Sequence, residues 1–444
     1  MINSLIFSIN FDRFSDHYTE IKFHTGLHII YGESSVGKSK FAHSFYGRSI
    51  GNDGNFEISI IQSPTNIQII TQNPESQIVS DSIDGELAFS LECHHKNSDL
   101  IQKKLLKLKN ELPFYTTGSR HPATLSGGEM ELLNIITAFS TSPELIIIDD
   151  SLSFINHTMK RKVMQTIQEN IQNKKQIILW LTSEITDLQF SQSQWELSLS
   201  SFSNKIPSIK SVYPVKKIKA GKLNLGLNLL SFKYNAERKI FDGLNEHISN
   251  ARSLGIVGEN GSGKTTLASI LLGFHQPNSG TVELSVNGNH SPRIAYLDQF
   301  PERLIGERSL EDLLNEFIEG GTLQPQLVQK IITIMERSQI KWDFIKDKPS
   351  CDLPWSILRL AFIIILSHCE FDLLILDEPT FGFGWKQKLN LHKYLLRYLI
   401  QKHLIIISHD IDFVQNTCDY VFSLNNHTSI ITEKTQIGTK TTKN

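Results

Sequence analysis

Short, almost uninterrupted apolar runs recur along the chain and alternate with segments whose apolar residues return every three or four positions. The runs are LHIIYG, ELIIIDD and QIILWLTSE in the first half and SLGIVG, DLLILDE and KHLIIISHD in the second half. Apolar runs of this length are typical of strands buried on both faces, and the periodic segments are typical of covering helices. The pattern therefore predicts an α/β fold around a mostly parallel sheet in each half.

Two other segments predict amphipathic helices inserted outside these sheets. They are SDLIQKKLLKLKNELPFY from residue 98 and SLEDLLNEFIEGG from residue 309. The second segment opens with Ser309 and Asp312 at the spacing of a capping box. Each half is thus expected to carry a small helical insertion.

The two halves are related by an internal repeat. A shift of about 226–228 positions aligns corresponding motif residues of the first half with those of the second half over most of the chain. The matched pairs are Gly32 with Gly258, Gln72 with Gln299, Leu125 with Leu353, Asp149 with Asp377, and Ser183 with His409. A shift this constant predicts two homologous domains.

The domain limits follow from where this pattern stops. We predict a first domain over 1–205, a linker over 206–222, a second domain over 223–427 and a polar tail over 428–444. The linker contains prolines and lysines and lacks apolar periodicity, and the tail has the composition of a frayed end. A length of 444 residues is also too great for one ordinary domain.

Composition and charge exclude several classes of protein. The net charge of −2 gives no overall bias toward nucleic acid, although local basic stretches such as VKKIKAGK exist, and charge alone names no partner. A nucleic acid partner is not expected. The 4 cysteines are scattered without paired spacing, which predicts neither a disulfide framework nor a structural zinc site. The longest apolar run, LAFIIIL, is far below the ~18–20 residues of a membrane helix, so any membrane role should be peripheral.

Two octapeptides carry the chemistry of phosphate binding. GESSVGKS starts at Gly32 and GENGSGKT starts at Gly258, and both fit GxxxxGK[ST] between an apolar strand and a helix. Glycines let the backbone N–H groups wrap phosphates at a helix N-terminus, whose dipole favours anions. One such peptide could be an ordinary glycine-rich turn, but two at corresponding positions predict nucleotide binding.

Within these loops the lysine is expected to reach the β- and γ-phosphates, and the following hydroxyl is expected to bind Mg²⁺. The predicted ATP-binding residues are Gly32, Gly37, Lys38, Ser39 and Lys40 in the first half and Gly258, Glu259, Asn260, Gly261, Ser262, Gly263, Lys264, Thr265 and Thr266 in the second half.

A further motif, TLSGGEMELL, precedes the strand that ends in IIIDD. Ser126 offers a hydroxyl, and Gly127 and Gly128 permit close backbone approach to a phosphate at a helix N-terminus. Together with the two phosphate loops, Gln72, Gln299 and His409, this motif makes the chain resemble the ATP-binding cassette (ABC) family twice over. A Ser-Gly-Gly turn without function is the alternative, and the spacing argues against it.

The resemblance implies two P-loop NTPase domains of ABC type, each with a parallel sheet core, an antiparallel subdomain and a small helical subdomain. It implies that two cassettes close head to tail over two ATP molecules, each between one domain's phosphate loop and the other domain's LSGG signature. The signature residues Ser126, Gly127, Gly128 and Glu129 would then bind ATP held by the second phosphate loop. ATP and Mg²⁺ are the expected cofactors, and ATP hydrolysis is the expected reaction.

The family pattern also implies roles for residues outside the loops. Glu378 would polarise the attacking water, Gln299 would sense Mg²⁺ and the γ-phosphate, and His409 would contact the γ-phosphate. Tyr234 matches the aromatic that stacks on adenine, and Phe11 is its counterpart in the first half. The predicted Mg²⁺ residues are Thr265, Gln299 and Asp377 in the second half and Ser39, Gln72 and Asp149 in the first half.

The two composite sites differ in completeness. The site of the second phosphate loop and the first signature, called the complete site below, has the expected lysine, threonine, glutamine, aspartate, glutamate, histidine and LSGGE signature. In the other, called the degenerate site, Asp150 replaces the glutamate, Ser183 replaces the histidine, and the signature reads LPWSI over 353–357. A displacement of ~1 Å at a reacting centre can cost about 10² in rate. Pro354 removes a backbone N–H donor. Trp355 adds bulk where a glycine would allow close backbone approach to the phosphate.

Independent drift of both halves is the alternative to this asymmetry. Proline suits the first turn of a helix, and Trp355 could belong to the core. The family usually has an aspartate in the loop after the acidic strand. This chain has Asn156 there after ELIIIDD and Gly384 after DLLILDE. We expect the asymmetry because the remaining changes converge on one site.

The acidic, proline-containing loop after Gln72, QNPESQIVSDSIDGELAFSLE, is similar to that of ATPases from energy-coupling factor (ECF) importers of vitamins and metal ions. The resemblance implies a transmembrane coupling subunit that docks on 74–90 and 301–317, a membrane substrate-binding component, and a peripheral location on the cytoplasmic face of the membrane. The alternatives are a sugar-type tandem importer ATPase and a soluble ABC ATPase acting on ribosomes or DNA.

Overall fold

The computed structural model describes most of the chain in eleven segments. These are residues 4–11, 18–46, 56–94, 97–112, 118–152, 155, 157–204, 212–214, 220–234, 239–259 and 261–424. The chain forms two compact units, Met1–Ser211 with Gly382–Gln387, and Val212–Phe381 with Lys388–Asn444. Asn156, Asn260, most of the predicted linker and the predicted tail lie outside the described residues.

The first unit contains two sheets. Their strands are β1 (Ser4–Asn10), β2 (Thr19–His24), β3 (Gly26–Tyr31), β4 (Glu57–Gln62), β5 (Ile67–Ile70), β6 (Leu145–Asp149), β7 (Ile177–Thr182), β8 (Ser193–Leu197) and β9 (Phe202–Ser203). The larger sheet has the order β5-β6-β7-β3-β8-β9 and is parallel except for β9. The smaller sheet, β2-β1-β4, is antiparallel.

Five α-helices accompany these strands among the described residues. They are α1 (Lys38–Ser44), α2 (Ile83–His94), α3 (Ser98–Glu111), α4 (Gly127–Ser140) and α5 (His157–Lys174). The hydrophobic core joins both sheets to α1: Phe7 of β1 and Phe41 of α1 lie edge to face at 5.6 Å between ring centroids, with Ile30 and Leu179 of the parallel sheet in the same cluster. The packing places the N-terminus of α1 at the end of β3.

The second unit repeats this plan. Its strands are β10 (Leu223–Lys233), β11 (Lys239–Ala251), β12 (Ser253–Val257), β13 (Ser279–Val286), β14 (Ile294–Leu297), β15 (Leu373–Asp377), β16 (His403–Ser408) and β17 (Tyr420–Ser423). The sheet β14-β15-β16-β12-β17 is parallel, and the sheet β11-β10-β13 is antiparallel.

The helices of this part of the chain include the predicted insertion. They are α6 (Lys264–Leu271), α7 (Glu302–Ile305), α8 (Leu310–Glu319), α9 (Val328–Arg337), α10 (Trp342–Ile345), α11 (Trp355–His368), α12 (Trp385–Tyr398) and α13 (Ile411–Thr417). The predicted capping box of α8 is confirmed, because Ser309 and Asp312 exchange side-chain to backbone hydrogen bonds.

The predicted fold class is confirmed in both units. Each has a mostly parallel sheet whose central strands are fully buried, as the apolar runs predict, and a three-stranded antiparallel sheet. Within the described part of the chain, no helix combines the length and apolar character needed to cross a membrane.

Candidate functional site

The predicted phosphate-binding and acidic residues follow neighbouring parallel strands. In the second unit Gln299 follows β14, Asp377 ends β15, His409 follows β16, and the phosphate loop follows β12, in the spatial order of those strands. In the first unit Gln72 follows β5, Asp149 ends β6, Ser183 follows β7, and the phosphate loop follows β3, in the same spatial order. Since the carboxyl ends of parallel strands share an edge, each unit gathers these residues in one crevice.

The second phosphate loop has the backbone that its glycines predict. Gly261 and Gly263 adopt φ of 79° and 94°, in the left-handed region that side chains disfavour. A Cβ on Gly263 would also lie 2.8 Å from the Phe241 ring. Lys264 donates to the backbone carbonyls of Gly258 at 2.9 Å and Glu259 at 3.2 Å, so its ammonium group lies inside the loop.

Asp377 has the features of a cation ligand. Its Oδ2 accepts hydrogen bonds from Thr265 Oγ1 and Tyr296 OH, each at 3.3 Å. Its Oδ1 is buried and has no hydrogen-bond partner among the described residues. Burial, with the nearby charges of Glu378 and Asp298, raises the pKa of Asp377 to about 7. A buried carboxylate oxygen without a partner beside a threonine hydroxyl suits a hard cation.

Glu378 is held as an ionised carboxylate. Its Oε2 accepts from Ser408 Oγ at 2.7 Å and from His409 Nδ1 at 2.9 Å, and its Oε1 accepts from the His409 backbone N–H at 3.1 Å. Burial acts to raise the pKa of Glu378, but His409, Lys264 and Ser408 outweigh it and hold the pKa below the usual glutamate value. A carboxylate that stays ionised can accept or polarise a proton.

Tyr234 lies beside the start of α6 with an exposed ring. The side chain is 52% exposed, and its hydroxyl hydrogen-bonds Thr266 Oγ1 at 3.1 Å. Phe232 and His275 contact it edge to face, with centroids at 5.0 and 5.5 Å. These contacts hold a ring that stays about half exposed, which leaves area for stacking on a base.

The first phosphate loop repeats the geometry of the second. Gly37 adopts a φ of 100°, and Lys38 donates to the carbonyls of Gly32 at 2.9 Å and Glu33 at 3.2 Å. Lys40 donates instead to the Phe56 carbonyl at 3.0 Å. The loop thus has the form expected for phosphate binding.

Asp149 resembles Asp377. It is hydrogen-bonded by Ser39, and its buried Oδ1 lacks a hydrogen-bond partner within the described residues. Burial is the main cause that raises its pKa to about 6. Phe11, the predicted stacking aromatic of this half, is half-buried and packs against Phe56 at 5.6 Å.

Asp150 differs from Glu378 in its partners. Its carboxylate forms an ion pair with Lys38 at 3.3 Å and accepts a bifurcated hydrogen bond from the Ser183 hydroxyl, at 2.9 and 3.0 Å to its two oxygens. The Ser183 backbone N–H donates to it as well, at 2.9 Å. The two substitutions thus contact each other, and together they turn the carboxylate onto the phosphate-loop lysine.

The two signature positions also differ. Ser126 caps α4: its Oγ accepts from the Glu129 N–H, and the Glu129 carboxylate accepts from the Ser126 N–H at 2.8 Å. Ser126 is exposed, so the helix N-terminus faces solvent. In α11 Pro354 stands at the cap without a side-chain hydrogen bond, and Trp355 packs on Phe300 and Phe381 at 5.6 and 5.4 Å.

A family model described as ABC transporter matches the chain twice, over residues 21–153 and 241–381. The chain belongs to the ABC transporter family. The two matches cover more than half of its length and place one ABC ATPase domain in each unit. Binding of ATP with Mg²⁺ and ATP hydrolysis are properties of this family.

The relatives are distant but extend over both cassettes. An ATP-binding protein of Treponema denticola, provisionally assigned to an ABC transporter, is 22% identical over 417 residues, which are 86% of this chain and 84% of the relative. A protein of Methanosarcina mazei with the same provisional description is 23% identical and covers 90% of this chain and 87% of its own.

Solved structures show the same fold at low identity. A chain from a structure described as a model of ribosome-bound archaeal Pelota and ABCE1 matches with a TM-score of 0.64 at 15% identity. The match covers 91% of this chain and 78% of that chain. The RNase-L inhibitor matches with a TM-score of 0.55, also at 15% identity, over 89% and 83% of the two chains. At this identity the likeness concerns the fold alone.

The residues of the second cassette fit Mg²⁺ and ATP. The Asp377 carboxylate and the Thr265 hydroxyl that is hydrogen-bonded to it are oxygen donors of the kind Mg²⁺ prefers, and Asp377 Oδ1 is a buried acceptor without a described partner. Gln299, the third predicted Mg²⁺ residue, follows the neighbouring strand β14. Ser262 Oγ in the phosphate loop is likewise buried without a described partner, as suits a donor to phosphate.

Several contact residues were missed by the sequence analysis. Ser408 and Tyr296, which orient Glu378 and Asp377, lie within or near recognised motifs, so their positions could have signalled them. Lys388, which pairs with Asp410 at 2.8 Å, gave no such signal. Arg359 gave none either, although it is fully buried beside Trp355.

Proposed function

We propose that this ABC ATPase drives an ECF-type importer of vitamins or metal ions and hydrolyses ATP mainly at its complete site. The observation that carries the asymmetry is the contrast between the two catalytic carboxylates. Glu378 is held ionised by Ser408 and His409, whereas Asp150 is paired with Lys38 and Ser183. In this proposal the cassettes are the segments 1–205 and 223–427.

At the complete site each group has one role in the proposed reaction. Mg²⁺ would neutralise charge on the β- and γ-phosphates when bound. Lys264 and the loop N–H groups hold the phosphates, and Tyr234 stacks on adenine. Glu378 accepts a hydrogen bond from the attacking water, and Gln299 and His409 contact the γ-phosphate. By the family pattern, Ser126 to Glu129 of the other cassette would complete this site.

At the degenerate site the same phosphate loop would bind ATP without efficient hydrolysis. Asp150 is one methylene shorter than glutamate, and its oxygens are engaged by Lys38 and Ser183. General base catalysis contributes typically 10²–10⁴ in rate, so a misplaced base is a large loss. The nucleotide would then serve mainly to hold the cassettes together.

The proposed docking surface of the first cassette exposes apolar side chains. Val79 is 62% exposed and Phe89 is 50% exposed, both within the predicted docking segment 74–90. The buried Glu86 carboxylate accepts from the N–H groups of Val79 and Ser80, each at 3.0 Å, and so fixes the loop. A fixed surface with exposed apolar groups suits a coupling helix of a transmembrane subunit.

The ECF assignment rests on the loop resemblance and on the provisional transporter descriptions of the relatives. A soluble ABC ATPase acting on ribosomes is the second candidate, because the tandem fold of the RNase-L inhibitor and of a ribosome-bound ABCE1 complex spans most of this chain. A sugar-type tandem importer is the third. The partner that the protein retains on purification distinguishes them.

Replacing both Val79 and Phe89 by aspartate is expected to release the membrane partner. We expect at least about a tenfold loss of co-purifying membrane protein from detergent extracts, because two charges cannot enter an apolar contact without a large desolvation cost. The measurement is affinity purification followed by quantitative mass spectrometry. The basal ATPase activity of the released protein should be unchanged.

Phe344→Asp is the matched control, since Phe344 is 67% exposed but lies on α10, outside both proposed docking segments. Retention of ribosomal proteins by the unaltered chain, without any membrane protein, would favour the soluble ATPase and refute the importer. Equal loss in the control and in the double variant would refute this docking surface alone.

A further inference from the structure

A buried arginine lies on the helix that begins in the altered signature of the second cassette. Arg359 lies in the second turn of α11 and is fully buried. Its Nη1 donates to the Phe381 carbonyl at 2.8 Å, and its Nη2 donates to the Gln299 carbonyl. One side chain therefore joins the segment that carries Gln299 to the loop that follows Glu378.

Aromatic rings form the walls of the arginine site. The guanidinium lies 5.2 Å from the Phe381 centroid and 5.8 Å from the Trp355 centroid. Phe300, next to Gln299, contacts Trp355 edge to face at 5.6 Å. Trp355 stands where the signature has a glycine. The tryptophan that replaces this glycine therefore packs around Arg359, which a glycine could not do.

The first cassette makes the corresponding connections with different chemistry. Glu131, which the repeat aligns with Arg359, is fully buried and accepts from the Leu152 N–H at 3.1 Å. Asn134 of the same helix donates to the Pro74 carbonyl at 2.9 Å. Two side chains there make the hydrogen bonds to the two segments that Arg359 makes with its one guanidinium in the second cassette.

We propose that Arg359 is a positioning residue for ATP hydrolysis at the complete site. Its planar fork supplies two donors in fixed geometry, so the backbone of Gln299 and the loop after Glu378 are held at a constant separation. The inference rests on the proposed function, in which Gln299 and Glu378 act on the same γ-phosphate. Lysine would keep the charge but could not match both carbonyls and the stacked plane.

A double-mutant cycle between Arg359 and Gln299 tests this inference. Arg359→Lys alone is expected to lower kcat by about tenfold with KM for ATP within about twofold, because a ~1 Å displacement can cost 10² in rate. In a Gln299→Ala background the same substitution should lower kcat by less than about twofold, since the group it positions is gone. A purely structural role would give equal losses in both backgrounds.

Thermal melting of each variant separates these effects from unfolding. Trp355→Phe, a milder change of the same site, is expected to follow the pattern with about a threefold loss, and it replaces Arg359→Lys if that variant does not fold. Equal losses in both backgrounds, or no loss with either variant, would overturn the role of Arg359. An unchanged kcat in Gln299→Ala alone would instead refute the role of Gln299 in the proposed function.

Discussion

Glu378→Gln is expected to lower kcat for ATP hydrolysis by at least about 10²-fold, because the amide cannot act as a base and general base catalysis contributes about 10²–10⁴. The amide is nearly isosteric, and an amide oxygen at the Oε2 position can still accept from Ser408 Oγ and from the His409 N–H. ATP binding should therefore survive, and the variant should retain ATP in a closed state. Steady-state phosphate release and retained nucleotide after gel filtration measure both effects.

Asp150→Asn is the matched control for this prediction. It makes the same chemical change at the repeat-related position, where the carboxylate is bonded to Lys38 and Ser183. We expect a change in kcat of no more than about threefold, since little turnover is assigned to this site. Near-normal activity in Glu378→Gln would contradict the assigned catalytic residue, and equal losses in both variants would contradict the asymmetry.

Asp377→Asn is expected to have the second largest effect, again about 10²-fold or more in kcat. The substitution removes the negative charge that a bound Mg²⁺ requires while keeping an acceptor for Thr265 and Tyr296. The Mg²⁺ concentration for half-maximal activity should rise as well. Activity measured over a range of Mg²⁺ at saturating ATP gives both quantities.

Asp149→Asn provides the control in the first cassette. Asp149 has the same unpartnered, buried Oδ1 within the described residues and a hydroxyl neighbour in Ser39. We expect it to weaken Mg²⁺-dependent ATP binding there, with a loss of kcat below about threefold. A larger loss of kcat in Asp149→Asn than in Asp377→Asn would show that the first phosphate loop carries the turnover.

The fold could be predicted because the apolar runs are long and the repeat doubles every signal. ELIIIDD and DLLILDE became the buried strands β6 and β15, each with its aspartate at the carboxyl end. Parallel sheets place such ends together, so the motifs alone located both crevices. These motifs sufficed to predict the position of the site because each one includes both the buried strand and the acidic residue at its end.

The contacts between motifs could not be predicted. The sequence shows Asp150 and Ser183 as two separate losses, whereas the structure shows them bonded to each other and to Lys38. The bond between Arg359 and the Gln299 carbonyl joins residues 60 positions apart, and neither residue type indicates the other. Such pairs depend on the path of the whole chain, which hydrophobic periodicity does not specify.

The two sites of one chain are expected to hold different nucleotides during turnover. In the proposed function Glu378 drives hydrolysis, whereas Asp150, which is bonded to Lys38, does not do so efficiently. The direct measurement is the composition of nucleotide trapped on the protein by Mg²⁺, radiolabelled ATP and orthovanadate after removal of free nucleotide. We predict one ADP and one ATP per chain, and two ATP per chain in Glu378→Gln without vanadate. Two ADP per chain in the unaltered protein would contradict the proposed asymmetry.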